Sequence, residues 1–120
     1  MQVEEPVLRV MERIEGDGDV VLTVQGEVDM ATVGTLEARL ADVCARNSAV
    51  TVDLRRVTFL DCAGLRLLLA QHAEGHARGC EVVFIQGPPA VRRLFELTGT
   101  LDALPFVELG AAPLSAVASA

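Results

Sequence analysis

Lysine, tryptophan and tyrosine are absent from this 120-residue chain, and phenylalanine occurs only four times. Without indole or phenol rings there is little for a nucleic-acid base to stack on. The ten basic residues, all arginine, are outnumbered by seventeen acidic ones. The resulting net charge of −7 repels a phosphate backbone and favours solubility, so nucleic-acid binding is set aside. Long apolar runs are also missing. About half of the residues are apolar (51%), yet no stretch approaches the roughly 18 uninterrupted apolar positions of a membrane span. Met1 to Val10 carries Glu4, Glu5, Arg9 and Pro6 with no apolar signal-peptide core. These absences lead to the expectation of a cytoplasmic protein that engages neither nucleic acid nor membrane.

Cysteine is scarce as well. Cys44, Cys62 and Cys80 are an odd number at wide spacing, which fits neither a secreted disulfide framework nor a paired-cysteine zinc ribbon. Cys44 and Cys80 read as small core residues. No nucleophile–base–acid set and no phosphate-binding glycine loop is spelled out, so no enzyme activity is expected. His72, His76 and Cys80 recur at intervals of four, superficially a ligand spacing. Gly79 should end the helix before Cys80, and no acidic residues support the set. One packed and one solvated histidine are therefore expected, with no metal and no cofactor.

What the chain does contain is a regular alternation of elements, in a length sufficient to bury about two-thirds of the unfolded surface. Val7–Ile14 and Val20–Val24 read as strands joined by the turn Gly16-Asp17-Gly18-Asp19. Gly26-Glu27-Val28-Asp29 should leave the sheet and lead into a helix from about Ala31 to Arg46, apolar at Val33, Leu36, Leu40 and Val43. Ala49–Leu54 is a short, nearly continuous apolar strand, as expected at the centre of a sheet covered on both faces. A second helix is predicted from Cys62 to about Arg78, with Leu65, Leu68, Leu69 and His72 along one side. Cys80–Ile85 follows as another strand. Pro88-Pro89 starts a third helix, since proline is tolerated where first-turn N–H groups lack partners. Val91, Leu94, Phe95 and Thr98 should face inward, and Gly99 should take the left-handed cap position. A short strand is placed near Phe106-Val107. The fold class is α/β: a single mixed, mostly parallel sheet of four to five strands with three or four helices and right-handed crossovers. One domain is expected over 1–109, with an Ala-rich flexible tail over 110–120.

Three segments stand out. The first is Gly26-Glu27-Val28-Asp29. The second is the strand exit Val57-Thr58-Phe59-Leu60 followed by Asp61-Cys62-Ala63-Gly64-Leu65. The third is Pro89-Ala90-Val91-Arg92-Arg93-Leu94-Phe95-Glu96-Leu97-Thr98-Gly99. In this order and spacing they resemble the STAS domain family, the bacterial anti-sigma factor antagonists (anti-anti-sigma factors). The likeness covers most of residues 7–107. It implies the STAS fold and a cytoplasmic regulator with no catalysis of its own. The implied partner is an anti-sigma factor that is also a serine kinase of the histidine-kinase ATPase fold. Binding it frees a sigma factor for transcription, and phosphorylation of the family's Ser after the Asp ends the complex. A protein–protein contact surface is therefore expected at Asp29, Asp61, Cys62, Ala63 and Gly64, with Thr32 and Arg66 on its rim. The oligomeric state is read as monomer or weak dimer.

The residues themselves support such a site. Asp61 is a good N-cap acceptor, and position 62 then lies at a helix start, where the dipole favours an added anion. Gly64 costs up to about 1 kcal/mol against Ala inside a helix, which a close approach by a partner backbone would explain. The chain departs from the family pattern at one point: Cys62 occupies the phospho-acceptor position, and Ala63 offers no substitute hydroxyl. Kinases are arranged around a substrate hydroxyl and the base that takes its proton, so the usual off-switch is expected to be missing. Two readings of Cys62 stay open, a non-phosphorylatable and constitutively binding antagonist or a thiol switch. The alternative function is a STAS subunit held on the ATPase of a lipid-exporting ABC transporter or inside a larger stress complex.

Overall fold

Two glycines with positive φ, Gly16 (56°) and Gly18 (106°), let the chain double back on itself at the end of the first strand. Strands β1 (Leu8–Glu15) and β2 (Asp19–Val28) thus form an antiparallel hairpin, running from Leu8 opposite Gly26 to Glu15 opposite Asp19. The computed structural model describes residues 7–16 and 18–108; the turn residue Asp17 and the expected tail at 110–120 lie outside the described residues. The remaining elements are α1 (Val33–Arg46), β3 (Ala49–Leu60), α2 (Cys62–Ala77), β4 (Glu81–Ile85), α3 (Pro89–Leu97), a 3₁₀ turn at Leu101–Ala103 and β5 (Phe106–Val107).

Among the described residues, five strands form one sheet in chain order, β1-β2-β3-β4-β5, and every pair after the hairpin is parallel. Each parallel step moves in the same direction, so right-handed crossovers bring α1, α2 and α3 to one face. The core lies between that face and the helices. Alternate strand positions supply Leu22, Val24, Val50, Val52, Leu54, Val82 and Phe84, and the helices supply Leu36, Leu40, Val43, Leu65, Leu68, Val91 and Phe95. At the far edge the Phe106 ring meets Phe95 edge-on at 5.3 Å and lies 6.1 Å from Phe84.

Several expectations need correction. The alternate positions Thr51 and Asp53 of the run Ala49–Leu54 point away from the three helices, and on that face too Val21, Asp53 and Val83 are buried. Neither expected break in the sheet occurs. Gly26–Val28 stays paired as the end of β2, and β3 continues through Arg55-Arg56 to Leu60. Register shifts at Thr23/Gln25 and Gly26/Glu27 accommodate the polar stretch, and beside the first of them Asp53 turns its carboxylate onto Arg55, two residues along the strand. Its Oδ1 accepts from the Arg55 backbone N–H (3.0 Å) and Nε (3.0 Å), and its Oδ2 from the Arg55 guanidinium (2.7 Å). In α2, Leu67 and Gln71 are buried beside the expected Leu65 and Leu68, while Leu69 and His72 are half-buried. Thr98 is exposed rather than inward, since its hydroxyl donates to the Leu94 carbonyl (2.7 Å) and closes the last turn of α3. Gly99 does adopt a positive φ of 70°.

Asp53 is 2% exposed and so depends on Arg55. Burial works to raise its pKa. The side-chain and backbone hydrogen bonds from Arg55, with the Arg55 charge, together outweigh that, and hold the carboxyl below its usual 3.8. A carboxyl depressed in the folded state contributes stability that is fully present above its unfolded pKa and is lost as pH falls through the folded value. Arg55→Ala should cost about 1–3 kcal/mol at neutral pH, discounted because the arginine is partly solvated. The deficit should shrink as the pH falls below about 4, where the wild type loses the same interaction. Urea unfolding of both proteins between pH 7 and pH 3 checks this; a deficit that does not change with pH would assign the effect to packing alone.

Candidate partner-binding site

The site is built where β2 and β3 end together. Val28 pairs with Leu60, and the next residue, Asp61, donates its N–H to the Val28 carbonyl (3.2 Å). Asp61 then leaves the sheet in an extended conformation and caps α2. Its Oδ1 accepts from the Gly64 N–H (3.0 Å), and its own carbonyl accepts the Leu65 N–H (3.0 Å) as the first helical turn closes. The second carboxylate oxygen is used across the gap, accepting from the Met30 N–H (3.3 Å). One aspartate thereby fastens the helix start to the loop after β2.

That loop is tight for its own reasons. Asp29 Oδ1 accepts from the N–H groups of Ala31 (2.9 Å) and Thr32 (3.1 Å). The Thr32 hydroxyl donates back to the Glu27 carbonyl (2.8 Å) and accepts from the Asp29 N–H (3.0 Å). The turn consumes Ala31 and Thr32, so α1 begins at Val33 instead of Ala31. Asp29 and Asp61 therefore stand at the same end of the sheet, as expected from the motifs, with Cys62 exposed at the first position of α2.

The seven expected contact residues divide by exposure. Cys62 and Arg66 are exposed and Asp29, Asp61 and Ala63 are partly so, whereas Thr32 and Gly64 are buried. Thr32 was expected on the rim, but its hydroxyl is spent inside the loop. Gly64 was expected to admit a partner backbone, but the space beside it is filled from within. A Cβ there would lie 2.9 Å from the Val28 carbonyl oxygen, 2.8 Å from a Val28 methyl and 2.5 Å from a Leu60 methyl. Its glycine is explained by the junction of helix and sheet, with no outside partner needed.

Two apolar residues at this end were not singled out from sequence. Met30 is 80% exposed beside the Asp61 carboxylate, and Phe59 is 50% exposed on the last turn-out of β3. A signal for Phe59 was present, since consecutive strand residues point to opposite faces and Phe59 and Leu60 cannot both enter the core. Leu60 does, opposite Val28.

The remaining motifs lie elsewhere. His72 is half-buried with Nδ1 3.1 Å from the Val82 carbonyl oxygen, and His76 is exposed with Nδ1 2.7 Å from the Glu81 carboxylate. Cys80 turns to Cys44. The three thus engage three different neighbours. On α3, Arg92 pairs with Glu96 at 2.9 Å on an exposed face, and Arg93 is exposed. No helix among the described residues is long and apolar enough to cross a membrane.

Comparison with known proteins gives a consistent set of likenesses. Residues 11–108 match a protein-family model described as "Mlab, STAS domain". The chain is 34% identical over 90 residues to BtrV of Bordetella bronchiseptica, named as an anti-sigma factor antagonist, covering 74% of this chain and 78% of that protein. It is 40% identical over 55 residues to the anti-sigma-F factor antagonist RsfB of Mycobacterium tuberculosis, covering 45% of each. Among solved structures, an anti-sigma factor antagonist from Mycobacterium paratuberculosis superposes with a TM-score of 0.74 at 33% identity, over 97% of this chain and 99% of that one. Unphosphorylated SpoIIAA shares the fold with a TM-score of 0.70 at 19% identity, over 93% and 98% of the two chains.

The packing around Gly64 yields a direct test. Gly64→Ala gains up to about 1 kcal/mol of helix propensity but forces methyl groups and a backbone carbonyl apart, at about 1–3 kcal/mol. A net loss of stability is expected in urea unfolding. A gain of about 1 kcal/mol, as for a freely exposed helix position, would show that the junction yields without cost.

Proposed function

Because this chain belongs to the STAS domain family, we propose that it is an anti-sigma factor antagonist, which binds an anti-sigma factor and releases a sigma factor for transcription. The observation that carries the reading is the junction at Asp61. It holds an exposed residue at the start of α2, in the position the family uses for its phospho-acceptor, beside the Asp29 loop. The function is binding, and no catalytic step by this chain is invoked.

The contact surface comprises Asp29, Asp61, Cys62, Ala63 and Arg66, widened by Met30 and Phe59. Thr32 and Gly64 shape it from beneath. Exposed apolar side chains rimmed by carboxylates and an arginine make a surface that can exclude water at its centre and stay selective at its edge. The partner is an anti-sigma factor with serine-kinase activity, of the histidine-kinase ATPase fold. In this setting a negative charge at position 62 has two effects. The dipole of α2 favours it within the free protein, whereas the carboxylates of Asp29 and Asp61 and a closely packed partner disfavour it in the complex. A phosphate on a serine would act through that difference.

Cys62 removes the acceptor hydroxyl and keeps the shape. A thiol is close in size to a hydroxyl, so docking is retained, while in-line phosphoryl transfer lacks the alkoxide-forming group it is arranged around. The antagonist is thus held in its binding state, and control falls to its abundance or to other parts of the pathway. The second reading, a STAS subunit seated on a transporter ATPase, is distinguished by which protein is captured.

Two outcomes are expected. Wild-type bait in lysate of the native host should capture an anti-sigma factor, and Cys62→Asp should weaken the complex by more than about tenfold, because it places an unpaired charge in a desolvated contact. Equal capture by both baits would put the contact surface elsewhere, and capture of a transporter ATPase by both would favour the second reading. With the captured kinase and ATP, Cys62→Ser should take up one phosphate per chain while the wild type takes up none. Mass spectrometry of the two proteins reads this directly, and phosphorylation of the wild type at another side chain would restore an off-switch to it.

A further inference from the structure

The last turn of α1 and the residue preceding β4 bring two thiols into contact, Cys44 Sγ and Cys80 Sγ lying 2.8 Å apart. Both positions are held by the surrounding backbone. The Cys80 N–H donates to the Gly75 carbonyl (2.7 Å), and the neighbouring Glu81 N–H donates to the Ser48 carbonyl (2.9 Å), which sets this stretch against the turn that follows α1. Gly75 has no room for a side chain, since a Cβ there would come 2.6 Å from the Cys80 carbonyl oxygen. A disulfide bond requires about 2.05 Å between sulfurs, so closing it needs less than about 1 Å of movement. Cys62 is remote. It follows the C-terminal end of β3, whereas the pair lies beside the strand's start, and the twelve residues of β3 span roughly 35 Å.

From this contact we propose that Cys44 and Cys80 are an oxidisable dithiol that closes an intramolecular disulfide in the presence of a hydroperoxide, locking α1 to the start of β4. Cys44 is partly exposed and meets the oxidant; Cys80 is buried. The Cys44 sulfur attacks one peroxide oxygen, the O–O bond breaks, and the leaving oxygen departs as water or an alcohol with the thiol proton, leaving a sulfenic acid. The Cys80 sulfur then attacks the Cys44 sulfur, the S–O bond breaks, and the hydroxyl leaves as water with the second thiol proton. Two electrons pass from the thiols to the peroxide. Burial, and after it the neighbouring Cys44, push the Cys80 thiol up to about 12. Cys80 consequently stays a protonated thiol, and Cys44 is the sulfur that the oxidant meets first. The closed loop contains all of β3 and α2, so its constraint falls on the unfolded chain and leaves the contact end of the sheet untouched.

The test is hydrogen peroxide titration of the full chain, wild type and Cys62→Ser in parallel, with Cys44→Ser as the variant that cannot close. Free thiols should fall from three to one in the wild type and from two to none in Cys62→Ser. A peptide linking Cys44 to Cys80 should appear in monomeric protein, and Tm should rise by about 5–15 °C, reversed by dithiothreitol. Cys44→Ser should show neither the linked peptide nor the rise. The proposal is overturned if peroxide consumes Cys62 alone, if Cys44 and Cys80 remain thiols, or if the only disulfides join separate chains.

Discussion

A single residue decides the geometry of the end of the sheet where β2 and β3 stop together. Asp61 donates its N–H to β2, accepts the Gly64 N–H at the start of α2, and accepts the Met30 N–H from the loop leading to α1. Remove any of these and the helix start, the loop and the paired strand ends are no longer held at a fixed separation. The arrangement is strong because both partners of the carboxylate are backbone N–H groups at a helix or turn start that would otherwise be left without an acceptor. Asp29 performs the same service one loop earlier, satisfying Ala31 and Thr32. Both aspartates are thus structural acceptors first and negative charges second.

That dual use makes the local fold independent of the side chain at position 62. The fold at position 62 depends on Asp61 and on the space vacated at Gly64, and the side chain at 62 takes no part in either. Cys62 is exposed at the helix start, so a change of side chain there leaves the junction in place. The thiol chemistry of the chain is concentrated at the other end of the sheet, in the Cys44–Cys80 pair.

Much of the fold was legible in the sequence, and the misses share a cause. The hairpin glycines, the amphipathic spacing of α1 and the Pro–Gly bounds of α3 are local signals, and each corresponds to an element in the structure. Gly26 and the end of the apolar run at Leu54 suggest breaks in β2 and β3. The strands instead pass through them by shifting register, with Asp53 folded onto Arg55, a compensation visible only when both strands are in place. The site shows the same division. Asp61 as a cap and Cys62 as the first helical residue follow from the motif. The burial of Thr32 and Gly64 depends on Val28 and Leu60 arriving side by side, and the exposure of Met30 and Phe59 depends on where the paired strands end. The meeting of Cys44 and Cys80 needs a helix end and a strand start from distant parts of the chain.

The order of the sheet bears on how the protein is made. Every strand lies beside the one synthesised just before it, so a chain emerging from the ribosome never needs to open an existing pair to admit a later strand. The hairpin can form first and offer one edge, and each helix–strand unit that follows docks on the edge left by its predecessor. Parallel pairing is slow when its partners are far apart in sequence, because the intervening loop must close first. Here each crossover spans only one helix, which keeps those closures short and limits the time an unpaired edge is open to other chains.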